Sequence, residues 1–184
     1  NIKKLGNVRE NTPAPDCAQE LGQLPCIEDG YIICDNGIII DYGQMSECPE
    51  GQLEAVEQSV ERVIDAAGRM VFPSYCDSHT HLVYAGSREM EFSDKLRGLS
   101  YQEIAKRGGG ILNSVALLHN TSEDELLRQA LVRANEIISM GTGAVEIKSG
   151  YGLTVEDEMK MLRVAKRVAE NTPLTVRTTF LGAH

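Results

Sequence analysis

The residues in this chain best suited to chemistry are His79 and His81, in the stretch PSYCDSHTHLVYAGSREME over 73–91. Only Thr80 separates them, so on a strand both imidazoles point to the same side. Two imidazoles on one face can hold one divalent metal, and zinc or iron there lowers the pKa of bound water enough to give hydroxide near neutral pH. The competing reading is two histidines at the end of an ordinary strand. His184 ends the sequence, and His119 lies beside Asn120, where it reads as a surface or C-cap residue of a helix. Arg88, in the loop after the pair, could grip a substrate carboxylate through two hydrogen bonds, or pair at the surface with Glu89 or Glu91. Tyr101 and Tyr151 could serve a site or simply pack. Lys148 could be catalytic, but an ion pair with Glu146 or Asp157 is the plainer reading.

These residues need elements to bring them together. From about residue 70 the pattern runs strand, helix, strand, helix, strand. MVFPSYC (70–76) reads as a short strand leading to the histidines. Tyr101 to Lys106 reads as a short helix and GILNSVALLHN (110–120) as another, by the spacing of Ile111, Leu112, Val115 and Leu118. The Gly108-Gly109-Gly110 run between them reads as a flexible break. It is no phosphate loop, since no Lys-Ser/Thr follows it and no strand directly precedes it. Ser122 and Glu125 form a capping-box pattern ahead of a helix running to Met140, which Gly141 ends. GAVEIKS (143–149) reads as a strand, Thr154 to about Asn171 as a helix, and LTVRTTFLG (174–182) as a last strand. Strands alternating with such helices imply right-handed βαβ units and a parallel sheet. Parallel strands share a C-terminal edge, which is where ligand sites form. That edge would collect His79, His81, Tyr151 and His184.

The first part reads differently. GYIICDNGIIIDYG (30–43) places two apolar runs around Asn36-Gly37, a tight hairpin signal. RVIDAAGRMVFP (62–73) reads as a second strand–turn–strand, and 10–29 as a loop. The expectation is a small β domain over 1–69, followed by an α/β part over 70–184.

Composition sets the outer limits. The 184 residues are 42% hydrophobic and carry 18 Lys+Arg against 27 Asp+Glu, a net charge of −9. That balance argues against a nucleic-acid or anionic-membrane surface. No apolar run is long enough to span a bilayer, and the first residues lack the apolar core of a signal peptide. Cys17, Cys26, Cys34, Cys48 and Cys76 contain no C-x-x-C pair and read as free thiols in a reducing cytoplasm. A zinc site among them is the weaker alternative. The first residue is Asn1, not Met, so residues upstream are expected.

VIDAAGRMVFPSYCDSHTHL resembles the passage by which amidohydrolase-superfamily enzymes run from a small β domain into the first strand of a (β/α)8 barrel. Beyond it, HLVYAGSREMEF, SYQEIAKRGGGIL, VEIKSGYGL, EMKMLRVAKRV and TFLGAH resemble the imidazolonepropionase family. The resemblance implies an α/β fold. Residues 1–69 would form part of a composite β-sandwich and 70–184 the first three β/α units of a TIM-type barrel. It implies metal-dependent opening of the ring of 4-imidazolone-5-propanoate to N-formimidoyl-L-glutamate, in histidine degradation. His79 and His81 would be the first two ligands to one zinc or iron ion. Arg88, Tyr151 and His184 would contact substrate, with Tyr101 a less direct match. His184 could also donate to the developing oxyanion.

The sequence departs from the family in two ways. PSYCD replaces the usual Pro-Gly-aliphatic-aliphatic-Asp. A closed barrel also needs about 250 residues, so the remaining metal ligands and the acid/base residue are expected beyond His184. The further expectations are a small carboxylate substrate, no nucleic-acid or membrane partner, a cytoplasmic location and compatibility with a homodimer. The alternatives are another cyclic-amide hydrolase or deaminase of the superfamily, or a non-catalytic truncated module.

Overall fold

The Asn36-Gly37 step makes the expected hairpin. A computed structural model describes residues 1–8, 24–49, 51–59 and 62–182. In it β2 (Cys26–Asp35) and β3 (Ile38–Gln44) pair antiparallel, with Asp35 opposite Ile38. Asn36 and Gly37 take φ of 47° and 78°, the left-handed conformation that a two-residue type I′ turn demands. β1 (Ile2–Gly6) pairs antiparallel with β2 on one side and parallel with the short β4 (Met70–Val71) on the other. The sheet order is β3-β2-β1-β4. Ile2, Leu5 and Ile33 are buried on it, whereas Ile38, Ile39 and Ile40 of β3 are exposed. A short helix, α1 (Gln52–Glu57), follows β3. These elements belong to one of two units, Asn1–Pro73, and the second starts at Ser74.

Three expectations for this region need correcting. Of the loop read over 10–29, residues 26–29 belong to β2, and 10–23 lie outside the described residues. Residues 62–66 form no strand; Val63 and Ile64 are exposed, and only an isolated bridge joins Ala67 to Ile2. MVFPSYC is not one strand either. It divides into β4 and β5 (Tyr75–Thr80), which lie in different sheets. Pro73 stands between them and has no N–H to carry a ladder across.

The second unit is a parallel sheet of order β5-β6-β7, with β6 at Thr142–Lys148 and β7 at Thr175–Thr179. Four helices lie between β5 and β6: α2 (Glu89–Leu96), α3 (Tyr101–Lys106), α4 (Ile111–Asn120) and α5 (Glu123–Ser139). Between β6 and β7 lies α6 (Val155–Glu170). The sequence reading missed α1, α2 and β1. In α2 the apolar residues give no buried stripe: Met90, Phe92 and Leu96 are exposed, and its buried residue is Glu91.

Alternation along β6 decides what the sheet presents. Val145 and Ile147 are buried among Leu126, Ala130 and Ala134 of α5 and Met161, Val164 and Val168 of α6. Each of the larger of these side chains, Val, Ile, Leu or Met, contributes about 1.5–3 kcal/mol on full burial. Glu146 and Lys148 alternate with them and stand on the other face. There Glu146 pairs with Lys148 and accepts from Thr179 Oγ1 of β7. The polar rim is therefore held away from the apolar core.

Local caps set the helix starts. Ser122 Oγ accepts from the Glu125 N–H at 3.3 Å, and Thr154 Oγ1 from the Asp157 N–H at 3.2 Å. The reciprocal half of the Ser122 box is unused, because the Glu125 carboxylate binds Arg128 and Gln129 instead. Among the described residues no helix is long and apolar enough to cross a membrane. Cys26, Cys34, Cys48 and Cys76 are free thiols, and Cys17 lies outside the described residues.

Candidate functional site

β5 delivers His79 and His81 to the C-terminal edge of the parallel sheet. His79 is exposed and His81 half-buried, and their ring centroids are 5.6 Å apart in an edge-on arrangement. Three residues, Asp77, Thr80 and Arg133, fix this strand end. Asp77 Oδ1 accepts from the His79 N–H at 3.0 Å, and Thr80 Oγ1 donates to the Glu146 carbonyl at 2.9 Å. Arg133 of α5 donates to the carbonyls of Leu82 and Tyr84 at 3.0 and 3.1 Å, and its guanidinium lies 3.5 Å from the Tyr84 ring centroid. Burial pushes the Arg133 pKa down, and the Tyr84 contacts only partly offset this.

Tyr151 comes from the loop after β6. Its ring centroid is 4.9 Å from that of His81, with the planes tilted by 59°. The loop is built around one buried carboxylate. Glu158, in the first turn of α6, accepts from the N–H groups of Gly150 at 2.8 Å, Gly152 at 2.6 Å and Leu153 at 3.3 Å. Gly152 is required by close approach: a Cβ there would sit 2.5 Å from Glu158 N and 2.7 Å from Asp157 C. Ser149, fully buried, links the ends of the strands. Its N–H donates to the Thr179 carbonyl and its Oγ accepts from the Leu181 N–H, both at 3.0 Å. The preceding residue of α6, Asp157, fastens the helix to α4 through His119 Nδ1 at 2.7 Å and pairs within α6 with Lys160 at 3.0 Å, whose Nζ donates to the Leu118 carbonyl of α4 at 2.8 Å. Burial pushes the Asp157 carboxyl up, but His119 and Lys160 together bring it below its ordinary value.

Arg88 stands at the start of α2. Its Nε donates to Glu91 Oε2 at 3.0 Å, and its Nη2 donates to the same oxygen. Glu91 Oε1 accepts from the Gly110 N–H at 2.7 Å. The hydrogen bond from Arg88 holds the Glu91 carboxyl below its ordinary value, and the Gly110 N–H adds to that. The hydrogen bond to Glu91 raises the Arg88 pKa, with Tyr151 and Tyr101 close enough to act on it electrostatically. Tyr151 thus touches the His81 ring and lies within electrostatic range of Arg88, as does Tyr101.

The predicted residues are distributed as follows. His79, His81 and Tyr151 are brought together, and Tyr151 and Tyr101 lie within electrostatic range of Arg88. Lys148 pairs with Glu146, as the plainer reading has it. His119 ends α4, as expected, and is paired with Asp157. His184 lies outside the described residues. Among the described residues no three His, Cys, Asp or Glu side chains gather to hold a metal. The donor chemistry of His79 and His81, two imidazoles on one strand end, suits part of a zinc or iron site.

Sequence reasoning missed the carboxylates and the arginine that hold these loops. Glu158 has a faint sequence signal, an acid in the first turn of a helix just after Gly-Tyr-Gly. Arg133 has none beyond its place on a helix. Glu91 was visible only as a surface partner for Arg88, yet it is 8% exposed.

No family model matches the chain. Curated proteins do match, along its whole length. The chain is 49% identical over 184 residues to the imidazolonepropionase of Flavobacterium johnsoniae and 51% identical over 184 residues to that of Flavobacterium psychrophilum. To the imidazolonepropionase of Photobacterium profundum it is 41% identical over 180 residues. It spans 43% of the length of the first two and 44% of the third. The whole of this chain is thus homologous to the N-terminal part of the imidazolonepropionases.

Proposed function

We propose that this chain is the N-terminal part of a metal-dependent hydrolase that opens the ring of 4-imidazolone-5-propanoate to give N-formimidoyl-L-glutamate. The observation that carries the reading is the clustering at one sheet edge. The His81 ring lies against Tyr151, and Arg88 is within electrostatic range of that tyrosine. Two imidazoles suited to a metal and a cation suited to a propionate, both related to Tyr151, support the reading. Homology over the full chain supports the same reaction.

His79 and His81 would supply two ligands to one zinc or iron ion, with further ligands from later strands. When bound, that ion supplies an activated water and polarises the ring carbonyl. Arg88 holds the substrate carboxylate by charge-assisted hydrogen bonds. Tyr101 and Tyr151 border the ring, and Tyr151 keeps His81 in place by packing. His184 orients the ring and donates to the oxygen on which charge develops.

The fold supports the same assignment. Helices α5 and α6 cover one face of the β5-β6-β7 sheet, while Glu146, Lys148 and Thr179 meet on the other. A parallel sheet with helices on one face and polar residues on the other is what the first strands of a (β/α)8 barrel would present, and later strands would complete it. The exposed isoleucines of β3 fit a sheet that a second layer covers, as in a composite β-sandwich. Such an enzyme would work in the cytoplasm on a small carboxylate substrate.

The test is a substrate panel on the full-length, metal-loaded enzyme. Ring opening of 4-imidazolone-5-propanoate should exceed that of a cyclic amide lacking the propionate by about 100-fold or more in kcat/KM. Equal rates on the two would assign another cyclic-amide hydrolase, and no hydrolysis would remove the enzymatic reading.

A further inference from the structure

Glu91 is unusual for a helix-start carboxylate. It is 8% exposed, while the Arg88 side chain that it binds is 43% exposed. Both of its oxygens are engaged. Oε2 takes Nε and Nη2 of Arg88, and Oε1 takes the Gly110 N–H. The guanidinium is therefore held along one edge by a buried anchor. Among the described residues Nη1 makes no hydrogen bond, and the Arg88 side chain is partly exposed, which leaves that corner of the fork for a second carboxylate. An arginine tethered in this way loses little further freedom when a second carboxylate binds it.

The glycine run is shaped around the same carboxylate. A Cβ at Gly109 would lie 2.7 Å from Ile104 Cγ2, 3.0 Å from the Ile104 carbonyl and 3.3 Å from Glu91 Cδ. Gly110 takes φ of 89°, which disfavours any side chain. The Tyr101 hydroxyl is 3.7 Å from where a Gly110 Cβ would be. The run read from sequence as a flexible break is a close-fitting turn over Glu91, with the Tyr101 hydroxyl beside it.

We propose that Glu91 is a positioning residue for substrate recognition: it fixes the Arg88 guanidinium on one edge, leaves Nη1 for the substrate carboxylate, and locks the Gly109-Gly110 turn that seats Tyr101. This deepens the proposed function and rests on Arg88 as the carboxylate contact. Glu91 touches no substrate itself; it acts through Arg88 and Gly110. Held this way, Arg88 offers Nη1 for a charge-assisted hydrogen bond to an anionic group, which a neutral amide oxygen would accept more weakly.

The test uses the full-length, metal-loaded enzyme in four forms: wild type, Glu91→Gln, Arg88→Ala and the double variant. When the Gln amide oxygen accepts from Gly110, its NH2 faces the Arg88 donors, so this variant releases the guanidinium from its anchor with little change in volume. For the carboxylate substrate, Glu91→Gln should raise KM about 10-fold or more and change kcat less than about threefold. For the corresponding propionamide, KM should move less than about twofold. In the Arg88→Ala background, Glu91→Gln should add no further loss. Calorimetric titration with imidazole-4-propionate should show the same pattern in Kd, independent of turnover.

Equal losses on acid and amide, or a Glu91→Gln cost that persists without Arg88, would overturn the inference and leave Glu91 a structural residue. Wild-type enzyme that neither binds the probe nor hydrolyses the carboxylate substrate would overturn the proposed function and this inference with it. Should Glu91→Gln fail to fold, Glu91→Asp keeps the charge but withdraws it by one methylene, and the same acid-against-amide split is read from it.

Discussion

The Tyr151 ring lies 4.9 Å from the His81 ring, although one residue follows β6 and the other follows β5. The contact joins the loop held by Glu158 to the strand end held by Arg133. It makes the position of a metal-suited imidazole depend on a tyrosine, and two substitutions separate the two parts of that tyrosine.

Tyr151→Phe keeps the ring against His81 and removes the hydroxyl. In the full-length enzyme it should lower kcat/KM about 10- to 100-fold while metal content stays near wild type. Tyr151→Ala removes the packing as well and should lower both. Elemental analysis beside steady-state kinetics checks this. Equal metal loss in the two variants would mean that the hydroxyl, and not the ring, supports His81.

His81→Ala should abolish metal retention and turnover in the full-length enzyme, and His79→Ala should do the same. Removing one ligand from a site of this kind typically costs several kcal/mol of binding, on the order of a thousandfold or more in affinity. Metal content after dialysis against a chelator is the measurement. Full metal occupancy with intact activity in either variant would sink the ligand assignment.

Glu158→Ala should destabilise the protein by about 2–4 kcal/mol, because three backbone N–H groups lose a charged acceptor at once. Gly152→Ala should be damaging too, since its Cβ would meet backbone atoms at 2.5 and 2.7 Å that cannot swing aside. Thermal unfolding of the full-length protein reads both. Wild-type midpoints for both variants would show that the Tyr151 loop does not depend on this carboxylate.

Stability should fall in acid, and the sign follows from two buried carboxyls. Arg88 and the Gly110 N–H hold Glu91 below its ordinary value. Burial raises Asp157, but His119 and Lys160 outweigh it and leave that carboxyl low. A carboxyl whose folded pKa is depressed adds stability above its unfolded pKa, about 4 for these groups, and loses it as pH falls through the folded value. The unfolding midpoint should change little above about pH 5 and drop steadily below about pH 4. Asp157→Asn should flatten that drop, and an unchanged slope would remove Asp157 from the account.

Much of the local structure was fixed by neighbouring residues and could be read from them. Asn36-Gly37 sets the hairpin because its φ values are cheap for those residues. Ser122 and Thr154 set the starts of α5 and α6 through bonds to N–H groups three residues on. The alternation of Val145 and Ile147 with Glu146 and Lys148 sorts β6 into an apolar and a polar face. The His-x-His spacing likewise put two imidazoles on one strand end. Other features depended on what stands across space. Pro73 breaks an apparent strand into two sheets, a choice made by the partners β4 and β5 find and not by their own sequences. Exposed Met90, Phe92 and Leu96 gave α2 no periodic signature, because the buried residue of that helix is an acid. Nothing local marks Glu91 and Glu158 as interior carboxylates. A charged side chain is buried only where donors from other segments meet it, and those donors, Arg88 with Gly110 for one and Gly150, Gly152 and Leu153 for the other, are assembled by the tertiary fold.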